Sequence, residues 1–289
     1  MSPFSFTITV AGIGIGFYAP QPMEIPLELR PFLTPGAPEQ ERYEIVLIRK
    51  PLDFSGPPVF TSDRLAVYVH GETISRVFLP LKGPDGCIPV CSLRPSGQNT
   101  LYLPASDWAR YERKCTLSLL LGPESLLLRH DALLLHSSVI RYRGQALLFS
   151  GPSGVGKTTQ AELWAKYRRA EILNGDRCVI AKRGEAFWGC GSPYSGSSGV
   201  YRREEAPIRA IILPEKGPEN RIERVPAQEA FRSLYRELLG NLWDQGFTAK
   251  LLALLQALVL QIPVYRLSCR PEEAAVQLAE QAVFESAPD

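Results

Sequence analysis

The sequence predicts an α/β protein, with a mixed-sheet α/β domain over residues 113–289 preceded by a smaller β-rich domain over residues 1–112. Three observations predict it. Up to about residue 112, short runs of β-branched and aromatic residues alternate with turns rich in Pro and Gly. Beyond about residue 117, apolar runs suited to buried strands alternate with segments of helical period, the pattern of an α/β domain. Between one such strand and one such helix stands a glycine-rich loop, FSGPSGVGKTT.

In the first region FSFTITV (4–10), RYEIVLIRK (42–50), RLAVYVH (64–70), ISRVFLP (74–80) and TLYLP (100–104) are expected as strands of an antiparallel domain. PGAPE, FSGPP and KGPDG punctuate them, and nothing there forms a catalytic constellation. In the second region SLLLGPESLLLRH reads as helical, and ALLLHSSVI and QALLFS as buried strands. TTQAELWAKYRR has apolar residues at 161, 164 and 165, the spacing of an amphipathic helix. PIRAIILPE reads as a strand, then AQEAFRSLYRELLGNLWDQ and FTAKLLALLQALVLQI as helices. IPVYRLSCR (262–270) returns to strand character, and PEEAAVQLAEQAVFE closes as a helix with Pro271 in its first turn.

Composition narrows the function classes. The chain has 289 residues, 45% hydrophobic and 21% charged, with a formal net charge of +2. A near-neutral chain offers no electrostatic case for nucleic acid or an anionic membrane. LLALLQALVLQIP, from Leu251 to Pro263, falls well short of the roughly 20 residues a membrane span needs and is expected as a buried helix. The N-terminus lacks the pattern of a signal peptide, so a cytoplasmic protein is expected. Cysteines at 87, 91, 115, 178, 190 and 269 and three histidines complete no zinc set; reduced thiols are expected.

Gly151, Pro152, Ser153, Gly154, Val155, Gly156, Lys157 and Thr158 match the phosphate-binding loop G-x-x-x-x-G-K-[ST] at every fixed position, with Thr159 following in the helix. Glycines let such a backbone wrap phosphates with its N–H groups inward, and the helix adds the positive end of its dipole. Lys157 is expected on the β- and γ-phosphates and the Thr158 hydroxyl on Mg²⁺. The later apolar run ending in Asp that P-loop ATPases use for the metal is missing. The nearest acid is Asp176, in EILNGDRCVIAK, soon after the loop's helix.

Each candidate has a structural alternative. Asn174-Gly175 between β-like runs is a hairpin signal, which would make Asp176 a turn residue; as a functional carboxylate it would deprotonate a hydroxyl or hold Mg²⁺. His136, between LLL and SSVI, is on pattern alone an ordinary histidine at a strand's end. GCGSPYSGSSGVYRR (189–203) is either a surface loop or the part that meets the phosphoacceptor, through Ser195, Gly196, Ser197, Ser198 and Arg202, with Arg203 beside it. Asn220-Arg221 could approach the nucleotide.

LLLHSSVI, FSGPSGVGKTT and ILNGDR together resemble the kinase domain of HPr kinase/phosphorylase, which shares its nucleotide architecture with ATP-dependent phosphoenolpyruvate carboxykinase. The similarity spans roughly residues 115–200. KTTQAELW, NGDR, GSPYSGSSG and APIRAIILPEKGPENRI are similar, more closely still, to the HPr-kinase-like proteins beside ribosomal-peptide maturation genes, some of which phosphorylate a peptide serine. The resemblance implies ATP and Mg²⁺ at 151–158, His136 near the reacting phosphate, Asp176 in a catalytic acidic turn, and a homo-oligomer. The family carries two adjacent aspartates in that turn, the first a general base; here Gly175 takes the first place and Asp176 remains.

The expected function is ATP-dependent transfer of the γ-phosphoryl group to a hydroxyl, serine of a peptide or small protein, with the N-terminal domain holding or regulating the substrate. The alternative is an ATP-responsive binding module without turnover, which the missing aspartate favours. Phosphoenolpyruvate carboxykinase activity is disfavoured, because the metal-binding lysine and histidine set it needs is not found.

Overall fold

A computed structural model describes residues 4–113, 116–194, 196, 198–241 and 243–285. The chain divides into two compact units, Met1–Leu126 and Leu127–Asp289. The change of texture near residue 112 thus precedes the division, which falls within a helix.

The first unit is one sheet. Its strands are β1 (Phe4–Val10), β2 (Ile13–Ala19), β3 (Glu41–Ile48), β4 (Phe60–Thr61), β5 (Leu65–His70), β6 (Thr73–Phe78), β7 (Val90–Leu93) and β8 (Gln98–Pro104), in the order β1-β2-β3-β8-β7-β6-β5-β4. The expected antiparallel arrangement is corrected at its centre, where β3 runs parallel to both β2 and β8. A parallel neighbour needs a long return. Segment 20–40 supplies it before β3, and the β4–β7 meander supplies it before β8. β2, IGIGFYA, was hidden by its glycines. A Cβ on Gly14 would lie 1.9 Å from the Pro38 carbonyl oxygen, so glycine lets the crossing segment lie on the strand. Phe6, Phe17 and Tyr43 stack through the core, and the Tyr43 hydroxyl donates to the Leu121 carbonyl at 2.7 Å.

Two short helices follow, α1 (Thr116–Leu120) and α2 (Pro123–Arg129), separated at Gly122 with φ +63°. The second unit contains β9 (Ala132–Tyr142), β10 (Gln145–Ser150), α3 (Lys157–Arg168), β11 (Glu171–Asn174), β12 (Arg177–Arg183), β13 (Ala186–Cys190), β14 (Glu205–Lys216), β15 (Arg221–Arg224), α4 (Ala227–Tyr235), α5 (Gln245–Gln261), β16 (Val264–Cys269) and α6 (Glu273–Glu280). Its sheet is mixed. β10 is antiparallel to β9 and parallel to β14, β14 is parallel to β16, and β12 and β13 link the starts of β9 and β14.

β10 reads as an unbroken apolar run because both its faces are covered. Ala146 and Leu148 join the cluster of Leu251, Leu255 and Leu258 from α5, whereas Leu147 and Phe149 meet Trp164 of α3 and Val276 of α6. The Leu251 to Pro263 segment is helical as far as Gln261 and buried along one side, with Leu260 exposed and Ile262 and Pro263 beyond the helix end. No helix among the described residues is long and apolar enough to cross a membrane.

Two helix expectations need correction. The helix expected over 227–245 ends at Tyr235, and 237–239 extends along β9 instead. Backbone pairing with a strand that lacked a neighbour there outweighs the helical period of the sequence. Pro271 precedes α6, whose N-cap is Glu272, rather than occupying its first turn.

Candidate active site

Two breaks that face each other across β9 build the site. Along one edge β11 and β12 lie end to end: Glu171 and Asn174 oppose Arg141 and Val139, and Arg177 opposes His136. Gly175 and Asp176 fill the gap between them. The hairpin alternative is therefore wrong, since β11 and β12 each pair with β9 and not with each other. Along the other edge β10 pairs down to Ser150 opposite Ser137, then leaves into the loop 151–156. Residues 237–239 continue its line, with His136 N–H donating to the Glu237 carbonyl (2.9 Å) and Leu239 N–H to that of Leu134 (3.1 Å). The acidic turn, the glycine loop and Glu237 thus converge on residues 136–138.

Asn174, wholly buried, locks the turn. Its side-chain oxygen accepts from the N–H groups of Asp176 and Arg177, both at 2.8 Å, and its amide donates to the carbonyls of Ser192 (2.9 Å) and Tyr194 (3.2 Å). Local closure of this kind suits Asn. Ser138 Oγ donates to the Gly175 carbonyl at 2.9 Å, and Ser137 N–H to that of Asp176 at 2.9 Å.

The glycines of the loop are conformationally required: Gly151, Gly154 and Gly156 have φ of +145°, +83° and +110°. Pro152, Ser153, Thr158 and Thr159 are exposed, whereas Lys157 is only 7% exposed. Its ammonium donates to the carbonyls of Gly151 (2.8 Å) and Pro152 (3.0 Å). Burial holds its pKa below the ordinary lysine value, against the opposing pull of the Glu237 and Asp176 carboxylates. Thr158 Oγ1 stands 3.5 Å from the Gly175 carbonyl, so the helix start and the acidic turn adjoin.

Of the sequence candidates, His136, Lys157, Thr158 and Asp176 come together. His136 Nε2 is 3.6 Å from Asp176 Oδ1, an ion-pair separation beyond hydrogen bonding. Its Nδ1 is 2.8 Å from Glu237 Oε2. Arg177 Nε lies 3.7 Å from Asp176 Oδ2. Glu237 and Arg177 were both missed. The first sat within an expected helix, and the second carries no motif beyond its place after Asp176.

Gly196, at φ +51°, presses on Asp176: a Cβ there would lie 2.5 Å from the carboxyl carbon. Ser198 packs on Gly175, whose own Cβ would come within 2.4 Å of it. Arg202 has an exposed side chain, and its N–H ties to the Leu173 carbonyl at 3.1 Å. Ser195 and Ser197 lie outside the described residues. Asn220 bonds Glu272 and the Arg270 amide, and Arg221 pairs with Glu223; both serve the β15–α6 region. Cys178 and Cys190 are buried free thiols, the first pushed up to about 12 and the second higher still by burial, so neither is a nucleophile. Among the described residues no group of three or more His, Cys, Asp and Glu side chains could hold a metal ion.

No protein-family model matches the chain, and no curated protein matches it. Among solved structures it is similar to the HPr(Ser) kinase/phosphatase from Coxiella burnetii, at 10% identity and a TM-score of 0.31, over 53% of this chain and 97% of that one. At that score the overlap carries no weight for chemistry, which has to come from the residues themselves.

Proposed function

We infer that the second unit is an ATP-dependent kinase, transferring the γ-phosphoryl group to a hydroxyl, serine of a peptide or small protein. The observation that carries this is the convergence of Lys157, Thr158, Asp176 and His136 at the two facing breaks of β9. The buried ammonium and the hydroxyl at the start of α3, the carboxylate between β11 and β12 and the imidazole of β9 share one locus. A glycine loop alone would bind phosphate; a carboxylate and an imidazole placed beside it suit transfer to an acceptor.

In this reading the loop amides of 151–156 and Lys157 hold the phosphates, and Lys157 exchanges its carbonyl partners for phosphate oxygens. The hydroxyl of Thr158 is a hard oxygen donor beside the acidic turn and fits Mg²⁺, completed by phosphate oxygens and water rather than by a protein cage. Bound there, the metal would neutralise charge on the phosphates. Asp176, on the acceptor side, takes the proton as the acceptor oxygen bonds to the γ-phosphorus and the bond to the bridging oxygen breaks, its electron pair leaving with ADP. Positioning and charge neutralisation supply most of the rate. The peptide-maturation subgroup that the sequence resembles supports serine as acceptor, with the first unit holding or regulating it.

One observation favours the second reading, an ATP-responsive module without turnover. The space an aspartate would need at Gly175 is taken by Ser198, so the missing acid is built into the packing.

The test is ³¹P NMR of Mg–ATP with the protein and a broad pool of serine peptides, beside Lys157→Ala and Asp176→Asn. A phosphomonoester signal that requires both residues is the expected result. Broadened ATP lines without ester or inorganic phosphate would replace the kinase by the binding module.

A further inference from the structure

Glu237 belongs to no motif, yet it contacts His136 twice. Its carbonyl accepts from the His136 backbone N–H at 2.9 Å, and its carboxylate stands 2.8 Å from the same residue's Nδ1. The carboxylate is 11% exposed, and its strand-like segment is fixed to β9 again through Leu239. A carboxylate at 2.8 Å requires a proton on Nδ1, because two bare acceptors would repel. Nε2, by contrast, lies beyond hydrogen-bonding distance of Asp176, at 3.6 Å.

Charged groups of both signs surround the ring. Asp176 and Glu237 face it, Arg177 pairs with Asp176, and Lys157 feels both carboxylates. In the neutral ring, the proton that Glu237 holds on Nδ1 leaves Nε2 bare. The tautomer of such a ring is set by the bond its other nitrogen makes.

We propose that Glu237 is a positioning residue that holds His136 as the Nδ1–H tautomer and so presents the Nε2 lone pair, beside Asp176, to the phosphoacceptor hydroxyl. This rests on the kinase reading. Two acceptors 3.6 Å apart leave room for one donor between them, and an acceptor O–H is such a donor. His136 Nε2 and Asp176 Oδ1 then share the hydroxyl's single proton in a bifurcated hydrogen bond that orients it, and Asp176 takes that proton as the oxygen attacks. Catalytic geometry of this kind commonly tightens only when substrate is bound.

The experiment is ¹⁵N NMR of protein labelled at its three histidines, held about two pH units above the ordinary histidine value of ~6.5, with His136 signals identified by their loss in His136→Gln. Wild type is expected to show His136 with a proton-bearing Nδ1 and a bare Nε2. Glu237→Leu should move the proton to Nε2, and Glu237→Gln, whose amide oxygen still accepts, should retain it on Nδ1. In steady-state turnover Glu237→Leu should lower kcat by about 10- to 100-fold with KM for ATP unchanged, and Glu237→Gln should recover part of the loss. A wild-type Nε2–H tautomer, an unmoved proton in Glu237→Leu, or a kcat within about twofold of wild type would overturn the proposal. If Glu237→Leu does not fold, the wild-type tautomer and Glu237→Gln decide. A wild type with the expected tautomer and no turnover on any acceptor would remove the kinase reading and the hydroxyl's place in it, leaving the Glu237–His136 assignment standing.

Discussion

Each unit buries charge, and the two do so differently. In the first, Arg76 of β6 pairs with Glu124 of α2, their side chains 10% and 3% exposed. In the second, Glu237, His136 and Asp176 form a line whose exposure rises along it, 11%, 25% and 31%. The Arg76–Glu124 pair is closed. Its ions lie too deep to meet a substrate, so its contribution is to packing and specificity within the unit. The second line is anchored at its buried end and opens towards solvent at Asp176. On the proposed function, a charge that keeps one face to solvent beside a phosphate-type loop serves chemistry rather than stability.

Removal of one group from each set should separate the two roles. Asp176→Asn is expected to lower turnover by about 10²- to 10⁴-fold, the range of a lost general base, with ATP binding and urea stability near wild type. A stability loss comparable to that of a core mutation would make Asp176 a structural residue and erase the contrast.

Glu124→Gln is the converse. It leaves a buried guanidinium unpaired and should cost about 3–5 kcal/mol of stability in the first unit, read as faster hydrogen exchange in β6 and β7, while nucleotide binding persists. Replacing both partners by apolar residues of similar volume, Arg76→Met with Glu124→Leu, should restore most of that loss. If the double variant binds ATP more weakly than wild type, the first unit does more than pack.

Gly175 sharpens the second half of the contrast. Gly175→Asp restores the acid that the resembled family carries, yet its Cβ would lie 2.4 Å from Ser198. Overpacking of this kind costs about 1–3 kcal/mol. The expected outcome is a turnover loss of about fivefold, the rate equivalent of that range's lower end, from a displaced Asp176, partly relieved by adding Ser198→Gly. Higher activity in Gly175→Asp alone would mean that the turn accommodates a second acid and that its absence limits the wild type.

What the sequence could and could not reveal follows from the range of each interaction. The loop 151–156 was legible because its demands are local: three positive φ angles between a strand and a helix write themselves as glycines at fixed spacing. β9, β10 and α5 were legible because they are buried along faces of regular period. The direction of β3 was not, since parallel pairing depends on where segment 20–40 and the meander lead. Neither was Glu237. RELLG has helical period, and only the vacant edge of β9, a hundred residues earlier in the chain, draws it out of the helix. Asn174 was half legible: a turn residue by type, it closes a gap between two partners of one strand rather than a hairpin. Asp176 stood out by its place soon after the loop's helix and His136 only through the resemblance, and their proximity to Thr158 and Lys157 depends on strand register that no local pattern encodes.

Lys157 offers the finest test, because there the demands of chemistry and of folding oppose each other. Its ammonium is buried, and burial outweighs the attraction of Glu237 and Asp176, so its pKa in the folded protein lies below the ordinary value. Below that depressed pKa the native state carries a charge it disfavours, and the penalty is fully present. As pH rises from there towards the unfolded value of ~10.4, the native state loses its proton before the unfolded chain does, and the penalty fades. Lys157→Met should therefore abolish turnover yet raise Tm slightly at neutral pH, and the gain should shrink as the alkaline window is crossed. Thermal unfolding of both proteins at several pH values measures it. A variant less stable than wild type at neutral pH would mean that the bonds from Lys157 to the Gly151 and Pro152 carbonyls outweigh the cost of burial, and that the loop needs its lysine to fold as well as to bind.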